Sequence, residues 1–394
     1  MAKRKNGEGS YGDIKINGKT YKRYRDKEIG TVYASSAKEL KEKIAGKRQN
    51  LEHSIIEKKL DIDRLSTFAD LCDKWLPTVY NDVAHRTYDD YESIIKSRIK
   101  NYKKFSIGNE QISSIKPFMF TNFFTAMGKN YAAASIHKTH VICTMVVKYG
   151  IKKGYISKDF DFEEMKEPHE DNIAVGKKEI KAITMEDMEL LYKELKTPRY
   201  GEAARMLIFI MYSGLRVNEA IALKWNQVSA DYKQIKILAS NSRIVVRDEH
   251  LNPVRNEDGT TKHEIIRKGP KSKDGYRTIP LPPRAIEVLK NARKIDSQYN
   301  DDHVFLSQNG TPFTADNARR CLKCALAHSK CDYKKYTPHA LRHGYGSVLI
   351  ANGVDIKIVS ELLGHSNVAF TYNVYIEVLD KNKISAINTV FGIS

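Results

Sequence analysis

Between about residues 157 and 178 the chain runs through KDFDFEEMKEPHEDNIAVGKKE, a stretch mixed in charge, broken by Pro168 and Gly176 and lacking apolar periodicity. One continuous hydrophobic core cannot pass through such a segment, so it reads as a linker between separately packed parts. The length agrees, because 394 residues exceed what one core ordinarily serves and two or three domains are expected. Hydrophobic residues at 41% and charged residues at 29% supply enough apolar material for packed cores and exclude wholesale disorder.

Before the linker, two patterns follow one another. Tyr11 to Ile16, Lys19 to Tyr24 and Ile29 to Tyr33 read as short strands, joined by Asn17-Gly18 and by a turn near Asp26. Asn-Gly between alternating segments is the strongest local hairpin signal, so a three-stranded antiparallel sheet is expected. Ala37, Leu40, Ile44, Leu51, Ile55 and Leu60 then recur at helical spacing and offer that sheet a cover.

From Thr67 to about Ile156 the pattern is helical. Thr67 can cap a helix carrying Phe68, Leu71, Cys72 and Trp75, with Pro77 near its end. Ala84 to Ile99, Pro117 to Met127 and Ala134 to Tyr149 follow, making a bundle of four or five helices. Gly108, Gly128-Lys129-Asn130 and Gly150 fall where breaks are expected. In this bundle Tyr88, Tyr91 and Ile94 read as helix core.

After the linker, Thr184 and Asp187 take N-cap and N3 places at the start of TMEDMELLYKEL. Helices then alternate with one sheet-like region, Gln234 to Leu238 and Ile244 to Leu281, interrupted by a polar insertion from Asp248 to Lys262. The expected fold is a multidomain α+β chain: a three-stranded sheet plus helix, a helical bundle, and a mostly helical last domain with a small antiparallel sheet. The corresponding boundaries are 1–64, 65–160, a linker at 161–178, and 179–394.

Charge narrows the partner. Lys and Arg number 66 against 48 Asp and Glu, a net charge of +18, which suits a polyanion and above all nucleic acid. Residues 1 to 64 hold 17 basic against 10 acidic side chains, so this module is expected to touch phosphates. No run approaches the roughly 18 apolar residues of a membrane span. Met206 to Tyr212 and Val141 to Val147 are core-sized, and the basic Met1 to Lys5 is not followed by the apolar region of a secretory signal. Five cysteines, an odd number without a paired framework, suit a reducing compartment, so free thiols in an intracellular protein are expected.

Four segments of the last domain concentrate cationic and imidazole groups. In Tyr212-Ser213-Gly214-Leu215-Arg216-Val217-Asn218-Glu219 a glycine turn delivers Arg216 to a helix start, with Glu219 three residues on to orient it. Lys268-Gly269-Pro270-Lys271-Ser272-Lys273-Asp274-Gly275-Tyr276-Arg277 reads as a hairpin whose lysines can reach a bound groove. Thr337-Pro338-His339-Ala340-Leu341-Arg342-His343 puts His339 and Arg342 on one helix face. Leu362-Leu363-Gly364-His365-Ser366-Asn367 is followed ten residues after His365 by Tyr375.

Two arginines, a lysine, histidines and a tyrosine suit attack on a phosphodiester. The reaction accumulates charge on non-bridging oxygens, which guanidinium groups stabilise as planar forks. A phenol is a poor nucleophile at its usual pKa near 10, so cations or a histidine base must help it ionise. The leaving 5′ hydroxyl needs a proton, which a lysine or histidine can give.

SGLRVNEAIALKW, PHALRHGYGS and LLGHSNVAFTYNVY, in this order, resemble the boxes of the tyrosine recombinase (phage integrase) family, over about residues 180 to 380. The N-terminal sheet and the bundle also resemble the arm-binding and core-binding domains of integrases from phages and conjugative transposons. The resemblance implies that Arg216 and Arg342 clamp the scissile phosphate and that His339 and His365 are the family's two histidines. Lys271 best matches the lysine that protonates the leaving oxygen, with Lys268 and Lys273 close by. Tyr375 matches the nucleophile, and Tyr372, three residues earlier, fits the family spacing less well. His343 reads as a core or capping histidine, which the family places as support. Arg86, Thr87, His137 and Lys138 resemble DNA-facing positions at helix starts.

The implied activity is site-specific DNA strand exchange of a mobile element through a 3′-phosphotyrosyl intermediate, without ATP, metal or other cofactor. Implied partners are double-stranded DNA with core and arm sites, three further copies of the chain in a synaptic tetramer, and accessory proteins that bend DNA or set direction. A bacterial cytoplasmic location, on the nucleoid when DNA is bound, goes with this. The competing readings are a resolvase or invertase of the same family, a type IB topoisomerase, and a DNA-binding regulator descended from an integrase. Cys321, Cys324, His328 and Cys331 lie along a stripe roughly 15 Å long on one helix, too extended for a single tetrahedral ion, so core packing is expected there.

Overall fold

The structure, a computed structural model, describes residues 9–17, 19–64, 66–102, 106–176, 183–270, 272–296, 301–331, 336–369, 371–372 and 375, with the side chains of 53–64 and 294–296 left aside. It divides into two compact units, Met1–Lys177 and Lys178–Ser394.

The first unit begins with β1 (Ser10–Ile16), β2 (Lys19–Asp26) and β3 (Gly30–Ala34), paired antiparallel in that order. Ile16 faces Lys19 across a two-residue connection, and Asn17 takes the left-handed φ of 47° that such a turn demands. Helix α1 (Ala37–Arg64) covers the sheet, packing Leu40 and Ile44 on Tyr24, Val32 and Ala34.

Thr67 caps α2 (Phe68–Trp75) through a reciprocal box with Asp70, the two contacts measuring 3.3 and 2.9 Å. Helix α3 (His85–Ile94) runs into a wider π-helical turn, Ile95–Lys100. Pro117 opens α4 (Pro117–Met127) at a position where no N–H is missed, and α5 spans Ala133–Lys153. The core holds Phe68, Leu71, Trp75, Tyr88, Ile94, Phe120, Phe124, Ile136, Val146 and Val147, and Tyr91 packs beside the Trp75 ring.

Two readings change here. Gly150, expected as a break, lies inside α5, where a Cβ would come within 2.9 Å of Ile156 and 3.0 Å of Leu71; its role is close packing. The stretch that reads as a linker is irregular, but its part from Phe160 to Lys166 is anchored. Phe160 and Met165 are buried, while Thr121 Oγ1 donates to the Glu164 carbonyl and accepts from Lys166 N–H. Spaced apolar residues with no period are invisible to a helix or strand pattern, yet they still pin a loop.

The second unit is built around α7 (Gly201–Ser213), in which Ala204 and Met206 to Met211 are all buried. A helix apolar on every side belongs in the centre of its domain. Around it stand α6 (Met185–Leu195), α9 (Pro283–Asp296), α10 (Ala315–His328) and α11 (Pro338–Ala351), with short α8 (Val217–Ile221) and α12 (Ile356–Leu363) completing the helices that place the site.

β4 (Gln234–Ile237) pairs with β7 (Arg277–Pro280), and β5 (Ser240–Val245) with β6 (His263–Lys268). The Lys268 to Arg277 segment is therefore not a simple hairpin: its flanking strands pair with other partners. Pro270 lacks a ladder donor, and Asp274-Gly275 sits in a 3₁₀ turn closed from Tyr276 N–H to the Lys273 carbonyl at 3.0 Å. Among the described residues no helix is long and apolar enough to cross a membrane.

Candidate active site

Gly214 ends α7 with a φ of +67°, and its missing Cβ leaves room for the Tyr345 ring, which a side chain would meet at 2.5 Å. That turn sets Arg216 as the N-cap of α8. Its Nη1 donates to Glu219 Oε1 at 2.7 Å and its backbone N–H to Oε2 at 2.9 Å.

Glu219, 4% exposed, is the hub of the site. Arg277 meets its two oxygens at 3.2 and 2.9 Å, and Arg342 Nη1 stands 3.9 Å from Oε2. Burial alone would raise this carboxyl, but the Arg277 hydrogen bonds, then the charges of Arg277, Arg216 and Arg342, hold it at about 2. Three guanidinium groups around one carboxylate leave an excess of positive charge.

The three arginines share a second anchor. Arg277 Nε donates to the Leu362 carbonyl at 2.7 Å, Arg342 Nη2 to that of Leu363, and Arg216 Nη2 to that of Gly364 at 3.1 Å. These are the carbonyls of the last two residues of α12 and of its C-cap, where a helix lacks internal donors and favours cations. Arg342 also donates to the Gly214 carbonyl at 2.9 Å and is 1% exposed, whereas the Arg216 side chain is 38% exposed. Burial depresses Arg342 from its ordinary value, yet it remains cationic at neutral pH.

Histidines ring this charge. His339 is exposed at the first turn of α11, and its ring meets the buried His343 ring edge-on at 4.7 Å. Partial burial, then Arg342 and Arg216, lowers His339. Burial, His339 and Arg342 push His343 down to about 4, while burial, Arg342 and Arg216 push His365 down to about 3. His365 Nδ1 lies 2.8 Å from the hydroxyl of buried Thr371. All three imidazoles are neutral at neutral pH in the free chain. Beside them a cleft of about 450 Å³ is lined by Arg216, Asn218, Ser240, Arg319, Thr337 and His339.

Tyr375 is 1% exposed, packed among Ile350, Val359 and Leu363. Its hydroxyl is 3.4 Å from His343 Nδ1, and burial pushes it up to about 12 against the pull of Arg342. Tyr372 is 39% exposed. Lys271 lies outside the described residues, as does the tail from 376 onward; the neighbouring Lys268 and Lys273 are exposed.

Two tests of this arrangement follow. Gly346 in α11 faces Tyr375, and a Cβ there would sit 2.3 Å from the phenol oxygen. Gly346→Ala is expected to cost about 1–3 kcal/mol by overpacking. Its urea midpoint should recover when Tyr375→Ala is added, and purely additive losses would contradict the contact.

The second concerns acid. Unfolded histidines take up protons below their ordinary value of 6.5, whereas folded His343 and His365 hold out to about 4 and about 3. The unfolded chain binds more protons in that window, so this stability is full above the ordinary value and is lost as pH falls through it. The urea midpoint should drop from about pH 7 to about pH 5, and His343→Gln should lessen the drop; an unchanged slope would refute the assignment.

In the first unit Arg86 and Thr87 lie in the first turn of α3, Arg86 exposed and 3.3 Å from Asp90. His137 and Lys138 are exposed on α5. His137 and His140 present Nδ1 to one oxygen of Glu167 at 2.8 and 2.5 Å; among the described residues this is the one group with metal-ligand composition and spacing, and hydrogen bonds account for it. The five cysteines are free, with Cys321 half-buried, Cys324 exposed and Cys331 buried.

Sequence comparison places residues 181–382 under the profile of the phage integrase family and residues 67–127 under that of the phage integrase N-terminal SAM-like domain. A tyrosine recombinase XerC-like protein of Caldanaerobacter subterraneus subsp. tengcongensis is 28% identical over 349 residues, 82% of each chain. The fold resembles that of the Tn1549 transposon integrase solved in complex with a circular intermediate DNA, with a TM-score of 0.62 and 19% identity over 79% of this chain and 95% of that one. It also resembles a lambda integrase dimer bound to a COC′ core site, with a TM-score of 0.55 and 15% identity over 95% and 96%.

Proposed function

The chain belongs to the phage integrase family, and from that premise we propose that Arg216, Arg342, His339, His365, Lys271 and Tyr375 form its DNA-cutting centre. The enzyme is a tyrosine recombinase, which breaks and rejoins DNA at specific sites by tyrosine chemistry. The observation that carries the residue assignment is the shared anchoring of Arg216 and Arg342 on Glu219 and on consecutive α12 carbonyls, with His339 and His365 within reach of their charge.

A phosphodiester enters beside the exposed edge of Arg216. Both guanidinium groups take up the charge growing on the non-bridging oxygens, and the neutral histidines hydrogen-bond the same group. Burial first, and then the repulsion of Arg342 and Arg216, keeps these histidines unprotonated, and the anion offsets the second of these. Tyr375 leaves its apolar seat, passes its proton to a neutral imidazole of the site and attacks phosphorus; a P–O bond to the tyrosine forms as the bond to the 5′ oxygen breaks. Lys271 supplies the proton that the departing oxygen needs. Attack by the 5′ hydroxyl of a partner strand on the 3′-phosphotyrosyl ester reverses these steps, so the ester conserves the bond energy and no ATP or metal enters.

Residues 1–64 act as an arm-site module and 65–160 as a core-site module, joined through 161–178 to the catalytic domain at 179–394. The basic excess of 1–64 and the SAM-like match at 67–127 support this division. Arg86, Thr87, His137 and Lys138 are its proposed DNA contacts. DNA is the partner, as it is of the Tn1549 and lambda neighbours. Strand exchange between two duplexes calls for four copies, with the tail from 376 docking on a neighbour and accessory bending or directionality proteins assisting, in a bacterial cytoplasm.

A nicked suicide substrate carrying the cognate site tests the reading. The wild-type chain should become covalently attached to the 3′ phosphate; binding without attachment would instead favour a DNA-binding regulator.

A further inference from the structure

We propose that Arg277 is a positioning residue that sets the phosphate clamp, acting through Glu219 and the end of α12 without touching DNA. This rests on the reading of Arg216 and Arg342 as that clamp. The Arg277 side chain is 6% exposed. Its fork faces Glu219 at 3.2 and 2.9 Å, its Nε donates to the Leu362 carbonyl at 2.7 Å, and Nη1 also reaches the Gly275 carbonyl at 3.2 Å. A guanidinium so occupied has no free edge to offer a phosphate.

Those partners lie in three different segments. Glu219 orients Arg216, Leu362 belongs to the turn that leads to His365, and Gly275 lies in the lysine-bearing segment. Arg277 is therefore the bond that holds the first arginine, the second histidine and the lysine segment in one register. The fold makes room for it: Gly364 has a φ of +66°, and a Cβ there would lie 2.8 Å from Arg277 Nη1.

Charge gives a second reason. With Arg277 present, Glu219 is divided among three cations. Without it, the whole carboxylate falls to Arg216 and Arg342, which are then held more tightly and offer less positive potential to DNA. Lysine keeps the charge but cannot span two carboxylate oxygens and a carbonyl in one plane.

The experiment compares the full-length chain with Arg277→Lys on two nicked substrates, one with an ordinary scissile phosphate and one with a methylphosphonate, in which a methyl group replaces one non-bridging oxygen and removes its charge. Arg277→Lys should bind DNA within about twofold of wild type and attach about 30- to 100-fold more slowly to the phosphodiester. On the methylphosphonate, which asks less of a cationic clamp, the deficit should shrink to below about fivefold. An equal deficit on both substrates, wild-type rates on both, or loss of cooperative unfolding in Arg277→Lys would each overturn the positioning role.

Glu219→Gln combined with Arg277→Gln provides an independent reading. If Arg277 acts in part through Glu219, the double variant loses clearly less than the product of the two single deficits, whereas losses that multiply would refute the route. Tyr375→Phe is included throughout. Attachment in that variant would unseat the proposed nucleophile and leave the Arg277 comparison standing.

Discussion

Tyr375→Phe is expected to lower covalent attachment to a nicked site by at least about 10⁴-fold while leaving DNA affinity within about twofold. On the proposed assignment, the change removes the atom that forms the phosphotyrosyl ester. The fold should tolerate it, because the ring remains packed among Ile350, Val359 and Leu363 and, among the described residues, the hydroxyl makes one long hydrogen bond, 3.4 Å to His343. Its urea midpoint should stay near the wild-type value, so lost attachment cannot be ascribed to unfolding. Tyr372→Phe serves as the control. Exposure alone would favour Tyr372, at 39% against 1% for Tyr375. Attachment that survives in Tyr375→Phe and disappears in Tyr372→Phe would reverse the assignment.

The burial of Tyr375 has a kinetic meaning. A phenol pushed up to about 12 is almost wholly protonated at neutral pH, and its seat between Gly346 and His343 is enclosed. If Tyr375 is the nucleophile as proposed, attack requires the ring to leave that seat and to approach the arginines, whose charge favours the phenolate. On that assignment cleavage includes a conformational step before chemistry, a feature invisible in the spacing of residues.

What could be read from the sequence was local. Pro117 and Gly128 bracket α4, Thr67 with Asp70 announces α2, and the turn at Asn17 goes with the Ile16–Lys19 register of the first sheet. The pairing of Arg216 with Glu219 also follows from helical spacing. Arg277 was legible only as the end of a turn, since its partners lie 58 and 85 residues away. Gly150 looked like punctuation because a sequence cannot distinguish a glycine that ends a helix from one that admits a neighbouring side chain. His343 read as support, and the structure puts it against the tyrosine hydroxyl.

Arg342 carries the other large effect, and two substitutions separate its roles. The side chain is buried, joins the Gly214 turn to the Leu363 carbonyl and stands 3.9 Å from Glu219. Arg342→Ala strands two carbonyls and unbalances a buried carboxylate, and is expected to cost about 3–5 kcal/mol in urea unfolding. Its inactivity would therefore say little about chemistry. Arg342→Lys retains a cation and can still bond one carbonyl, so a smaller stability loss is expected. It cannot, however, bridge both carbonyls and present a planar edge to a phosphate. Attachment should fall by about 10²- to 10³-fold at unchanged substrate affinity, because in the proposed role the missing donor acts on charge that develops only in the transition state. If the loss appeared instead as weaker binding with the cleavage rate intact, Arg342 would be gripping ground-state DNA, and the transition-state clamp would have to be assigned to Arg216 without it.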